Sequence, residues 1–264
     1  MRRALVVVLL LTLAAPAAAR VPTRTPGTLV AGLAMPAAGF QVGAVSGRDV
    51  VFAKGFEIDL AQALAKELSL PGGVRFVNEE RFGSLLGPGA KDWDMALAQI
   101  TITPARAKRL DFSDPYFRAD QGVLLRSGLV GAPGSLATVA RLRVCAERGS
   151  TGADVVRTRI KPARRPRLVR DLSALEAALY QHRCDVAIAD APQLAVMRAS
   201  APRRFGALAG RIRTRERYGI AFERGSKLRP LVDVALERLR DDGTLRKLKD
   251  RWLAAAAKPL PVLS

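Results

Sequence analysis

Hydrophobic residues fall along the chain in short runs separated by turn-formers, and the period of each run predicts its element. Thr28-Leu29-Val30-Ala31-Gly32 and Val74-Arg75-Phe76-Val77 have the length of strands. Between them, Ala61, Leu64, Ala65 and Leu68 recur at helical spacing. They predict a helix over 60–70 with Asp59 as its N-cap, stopped by Pro71-Gly72-Gly73. Ala34 to Val45, broken by Pro36, Gly39 and Gly43, reads as a loop. Phe82 to Leu86 begins a second helix, and Met95-Ala96-Leu97-Ala98 suits a buried parallel strand. Strand, helix, strand, helix, strand predicts a parallel α/β layer, in which ligands sit beyond the carboxyl ends of strands. Gln99, Thr101 and Phe82 fall near such ends.

The alternation restarts after a Gly- and Pro-marked loop at 127–134. Leu142 to Ala146 is a strand, Glu147 to Asp154 a glycine-flanked turn into a helix, and Arg157 to Arg170 a basic linker. Ala174 to Tyr180 is helical; Cys184 to Asp190 is a strand ending in an acid, and Ala191-Pro192 starts another helix. Tyr218 to Phe222 is extended. Leu231, Val234, Ala235 and Leu239 form the stripe of an amphipathic helix, and a turn at 241–244 leads into a last one at 245–253.

Three places carry candidate chemistry. Thr103-Pro104 is a helix start, which places Arg106 in the first turn beside Gln99, Thr101 and unpaired amides. A guanidinium fork among donors is a receptor for a carboxylate or other anion; the bland alternative is a surface arginine on a surface helix. The Gly149-Ser150-Thr151-Gly152 turn lets a ligand approach the backbone, or is only a strand–helix turn. Asp190, at a strand's carboxyl end, accepts an ammonium, caps the helix that follows, or does both.

Met1-Arg2-Arg3, an apolar run from Ala4 and Pro16-Ala17-Ala18-Ala19 read as a secretory signal peptide over residues 1–19. Two cysteines remain, Cys145 and Cys184: a disulfide in an oxidising compartment, two buried thiols in the cytosol. The leader favours the disulfide. One histidine and two cysteines supply no metal-site spacing, and nothing calls for a cofactor. The net charge is +19, or +17 once Arg2 and Arg3 leave with the leader. Such a field attracts anions, yet no nucleic-acid motif accompanies it and aromatics are 5% of the chain, so nucleic acid is not an expected partner.

The run T-I-T-P-x-R-A-K-x-x-D-F-S-D-P-Y from Thr101 resembles the signature of the periplasmic amino-acid-binding proteins of ABC importers, solute-binding family 3. G-F-E-I-D-L-A-Q-A-L, V-C-A-E-R-G-S-T-G, C-D-V-A-I-A-D-A-P and the tail Y-G-I-A-F-x-x-G-S with D-D-G-T-L-x-K-L match the same family in order. The resemblance implies a two-lobed type II periplasmic-binding fold: parallel-sheet lobes joined by two crossover strands. Lobe one is expected over 20–119 plus 219–264 and lobe two over 120–218. The second of these matches, around Glu57, is expected to support the fold and supply no chemistry.

Carried onto this chain, Arg106 holds the α-carboxylate with help from Thr101 and the Thr151 amide, with Ser150 alongside. Asp190 takes the α-ammonium, and Phe82 forms a wall. Gln99 bonds a polar side chain or only lines the cleft. The chain departs from members that bind basic amino acids: Ala34 and Ala37 stand where those carry an acid and an aromatic, with Phe40 further on. That points to a neutral polar or acidic amino acid. The expected protein is a monomeric periplasmic or secreted receptor serving an ABC permease. Alternatives are a cyclohexadienyl or arogenate dehydratase on the same fold, disfavoured for want of a cleft carboxylate beyond Asp190, and a separate-chain ligand sensor.

Overall fold

The structure is a computed structural model and describes residues 20–129 and 131–264. The leader expected at 1–19 lies outside them. β1 (Leu29–Leu33) is buried along its whole length. The expected loop is in part a hairpin: β2 (Val42–Ser46) and β3 (Asp49–Lys54) pair antiparallel around Gly47, whose φ of 61° suits a tight turn. α1 (Phe56–Glu67) starts at Gly55 rather than Asp59, because Gly55 takes φ 132° against the Phe40 backbone, where a Cβ would lie 2.3 Å from the Phe40 oxygen. Asp59 therefore lies inside the first turn and accepts from Trp252 Nε1 at 2.7 Å instead of capping. The stripe Ala61, Leu64 and Ala65 is buried as expected.

β4 (Val74–Asn78), α2 (Phe82–Leu86), β5 (Met95–Ala96), α3 (Pro104–Ala107) and β6 (Leu110–Phe112) follow. β1 runs parallel to β4 and β5, as the apolar runs predicted. The chain then leaves along β7 (Phe117–Arg126) into a second sheet. That unit holds α4 (Leu136–Ala140), β8 (Val144–Glu147), α5 (Thr151–Val155), β9 (Arg167–Val169), α6 (Leu172–Tyr180), β10 (Val186–Asp190), α7 (Ala191–Ser200) and β11 (Phe205–Tyr218). The basic linker is not wholly irregular: it contains β9, which pairs with β8 and closes one edge of the sheet.

β11 returns antiparallel to β7. β12 (Ala221–Glu223) then slots between β5 and β6, so the first sheet reads β2-β3-β4-β1-β5-β12-β6 and the second β11-β7-β10-β8-β9. The first sheet is parallel at its centre, β4-β1-β5, with antiparallel strands on both sides; the second is parallel over β10-β8-β9 and antiparallel over β11-β7-β10. α8 (Arg229–Asp241) and α9 (Thr244–Leu253) finish the first lobe. α8 buries Val232, Ala235, Leu236 and Leu239, while Leu231 and Val234 are exposed, so its apolar face is turned from the expected stripe. Leu228 anchors this face; with Val232, Ala235, Leu236 and Leu239 it repeats every three to four residues.

The chain end departs from the expected division. Residues 259–264, expected in lobe one, lie on the second sheet: Arg211 N donates to the Pro261 carbonyl and Leu263 N to that of Arg211, each at 2.8 Å. Leu263 is buried in the second lobe's core. Gly210 makes the room, since a Cβ there would stand 2.8 Å from the Pro261 oxygen. The tail is a third link between lobes, beside the two crossover strands. At that crossover Phe117 and Tyr218 stack, with ring centroids 5.4 Å apart. Cys145 and Cys184 are disulfide-bonded, tying β8 to the segment that feeds its parallel neighbour β10.

Candidate ligand-binding site

The side chains singled out in the sequence meet in the cleft between the two lobes. Phe82, Gln99, Thr101 and Arg106 line one wall; Ser150, Thr151 and Asp190 line the other. Arg106 arrives as the local sequence predicts: Thr103 caps α3 by accepting the Arg106 amide at 3.2 Å, and Pro104 occupies its first turn. Its guanidinium lies 5.1 Å from the centre of the Phe82 ring, a cation–π contact that fixes its plane. Nη1 donates to the Thr101 carbonyl at 2.8 Å and Nη2 reaches across the cleft to the Gly149 carbonyl at 3.2 Å. Burial pulls its pKa down, and the charges of Asp190 and Glu216 oppose that. An arginine so placed remains a cation.

Opposite, Ser150 caps α5: its Oγ accepts the Ala153 amide at 3.1 Å and donates to the Glu147 carbonyl at 2.8 Å. The Ser150 hydroxyl is therefore spent on the turn. Thr151 stands at the first position of α5, where the helix itself offers the amide no partner. Asp190 is buried and accepts hydrogen bonds from Gln121 Nε2 and the Tyr218 hydroxyl. It makes no side-chain cap to α7, so the capping alternative falls away. Burial pushes its pKa up to about 7; the nearby Glu216 charge adds to this, while the two hydrogen bonds and Arg106 pull it down. An acid poised there is stabilised as an anion by an arriving cation.

Gln99 does not wait for a ligand. Its backbone sits in the left-handed region at φ 50°. Its backbone N donates to Glu57 at 2.8 Å, its side-chain Nε2 donates to Glu57 as well, and its side-chain Oε1 accepts from Gln193 Nε2 of the other lobe at 2.8 Å. Glu57 is fully buried and also receives Gln41 and the Tyr116 hydroxyl. The segment expected to supply fold alone therefore carries a buried carboxyl group under the cleft wall, its pKa raised by burial against the four hydrogen bonds it accepts.

Thr101 and Thr151 both donate to Glu216, and Thr151 Oγ1 also accepts from Gln121 Nε2 at 3.2 Å, so what each hydroxyl has left for the cleft is a lone pair rather than a hydrogen. Thr101, expected to help hold a carboxylate, has its hydroxyl hydrogen committed to Glu216. Sequence reasoning also missed Glu147, at the end of β8: it lines the cleft, is 9% exposed, and no hydrogen bond to its carboxylate is made among the described residues. Burial, with the charges of Asp171 and Asp190, raises it to about 7 against the pull of Arg106. The one available signal was its place immediately before the glycine turn. Glu216 was hidden in the arginine-rich run of β11, where a bulge between Ile212 and Glu216 breaks strand alternation.

A larger cavity of about 840 Å³ lies elsewhere, between α7, the crossover strands and the C-terminal tail. Of the cations that line it, Arg211 is paired with Asp120 and Arg198 with the Gly206 carbonyl, while Arg118, Arg215 and Lys258 make no side-chain hydrogen bond or ion pair among the described residues. The cleft is the candidate site, because the residues read from the sequence converge there.

A cleft of this kind between two α/β lobes on paired crossover strands defines a two-lobed binding protein of the type II periplasmic class. The model of the bacterial extracellular solute-binding proteins, family 3, matches residues 48–255, and the chain belongs to that family. It is 29% identical over 208 residues to the ABC transporter glutamine-binding protein GlnH of Bacillus subtilis (strain 168), covering 76% of this chain and 72% of that one. An ancestral arginine-binding protein solved with arginine superposes at a TM-score of 0.76, with 29% identity, over 87% of this chain and 99% of that one. The ancestral amino-acid-binding protein AncCDT-1, a precursor of cyclohexadienyl dehydratase, superposes at 0.72 with 28% identity, over 86% and 95%.

Proposed function

We propose that this protein is an extracytoplasmic receptor that captures an L-amino acid with a cationic side chain and delivers it to an ABC permease. The observation that carries the ligand class is Glu147, a buried cleft carboxylate without a hydrogen-bond partner among the described residues. The first-strand loop lacks an acid, as the sequence indicates, but β8 of the other lobe brings one. The preference for a neutral or acidic ligand therefore gives way to a basic one. In this reading Arg106 pairs with the α-carboxylate together with the Thr151 amide. Asp190 and the Thr101 and Thr151 hydroxyls accept from the α-ammonium, Phe82 walls the cleft, and Glu147 meets the distal cation. A zwitterion held from both walls favours the closed form, which a permease can recognise.

The export signal is read over residues 1–19, with cleavage near Ala19. Lobe one takes 20–119 and 219 to about 258, lobe two takes 120–218 with the tail, and the receptor works as a monomer.

The test is isothermal calorimetry of the exported protein with L-arginine, L-lysine, L-histidine, L-glutamine and L-glutamate, with arogenate and prephenate in parallel. Tighter binding of a basic amino acid than of glutamine supports the reading. Preference for glutamate overturns the ligand class, and consumption of arogenate or prephenate replaces the receptor with the dehydratase.

A further inference from the structure

Three donors from the two lobes meet on Glu216, which is buried where the crossover strands join them. Thr101 Oγ1 donates to Oε2 at 2.5 Å, Thr151 Oγ1 to the same oxygen at 2.7 Å, and Gln121 Nε2 to Oε1 at 2.8 Å. Thr101 belongs to the first lobe; Thr151 and Gln121 belong to the second. All three donors are neutral, so the carboxylate depends on the full set to offset its loss of water. A lobe rotation that separates Thr101 from Thr151 must strip the carboxylate of a donor from one side or the other. Gln121 Nε2 also donates to Asp190, so the same set holds the expected ammonium acceptor in place.

We propose that Glu216 is a positioning residue for ligand capture: a latch whose hydrogen bonds are complete only when the lobes are closed. It orients both threonine hydroxyls with their hydrogens turned away from the ligand, leaving two acceptors beside Asp190 for an ammonium group. The proposal deepens the receptor reading and rests on it for the role in ligand capture. The closure of the ligand-free protein tests the latch without that reading.

The experiment compares wild type, Glu216→Gln, Thr151→Val and the double variant by small-angle scattering without ligand and by stopped-flow binding of L-arginine. The latch predicts a larger radius of gyration for ligand-free Glu216→Gln than for wild type. It also predicts L-arginine dissociation faster by roughly tenfold, as expected for loss of a hydrogen bond to a charged group, with little change in the association rate. In the double variant the loss should not exceed that of the worse single variant, because both substitutions break one set. A carboxylate that only fills space gives unchanged scattering and additive losses, and either result overturns the latch. Should wild type bind none of the basic amino acids, the receptor reading falls while the ligand-free scattering still decides the latch.

Discussion

Replacing Glu147 with glutamine tests the ligand class directly, because it keeps the shape of the side chain and removes its charge. A charge-assisted hydrogen bond contributes about 1.5–3 kcal/mol, so L-arginine affinity should fall by roughly one to two powers of ten. L-Glutamine, which offers no distal cation, should change by less than about threefold on the same reasoning. Titration sharpens the test. Glu147 and Asp190 each sit at about 7, and a cationic ligand favours the ionised form of both. Wild-type affinity for arginine should therefore rise from pH 6 to 8, each group contributing up to about tenfold per pH unit below its pKa. In Glu147→Gln that dependence should roughly halve, leaving the part due to Asp190.

Stability without ligand runs the opposite way. The folded pKa of Glu147 lies above its ordinary 4.5, so its favourable contribution is present below that value and is lost as pH rises through about 7. The variant should melt higher than wild type at pH 8 and not at pH 4. Calorimetry at three pH values and a thermal melt check all of this. Equal losses for arginine and glutamine, or a lower melting point at pH 8, would refute the argument from a buried, unpartnered acid.

Arg106→Ala should reduce binding of every α-amino acid by about a hundredfold or more, through loss of a bidentate charge pair, while the far-ultraviolet spectrum stays that of wild type. Reducing the Cys145–Cys184 bond, which spans 39 residues of chain, should cost about 3–4 kcal/mol of unfolding free energy in the chain-entropy model, read by urea titration with and without reductant. Leu263→Ala should cost about 2–5 kcal/mol, because the tail residue fills the second lobe's core; a loss within experimental error would mean the tail is not docked in solution.

Local chemistry was legible where a few neighbouring residues decide it. The start of α3 at Thr103-Pro104, and with it the entry of Arg106 into the cleft, depends on a cap and a proline that any fold would use alike. The stripe of α1 and the parallel strands β1, β4 and β5 followed from period and turn-formers, whereas the return of the last helices to the first lobe was implied by the family resemblance. The start of α1 was misplaced, because Asp59 looks like a cap in sequence, whereas the close approach of Phe40 to Gly55 is a tertiary contact. The face of α8 was misjudged for a related reason: its heptad-like spacing fits two neighbouring stripes, and only packing selects one.

What short-range spacing determined, then, was the element order and two successive α/β units; the crossover between lobes and the roles of Arg106 and Asp190 in the cleft were implied by the family resemblance. Tertiary structure alone decided the part played by three further carboxylates beside Asp190. Glu57, Glu147 and Glu216 look in sequence like any surface glutamate in a basic chain. Folding buries them, gives Glu57 and Glu216 their donors from distant segments, and leaves Glu147 in the cleft without a partner among the described residues. The price of removing a carboxylate from water is set by neighbours far away in the chain, so neither its burial nor its partner can be read from local spacing.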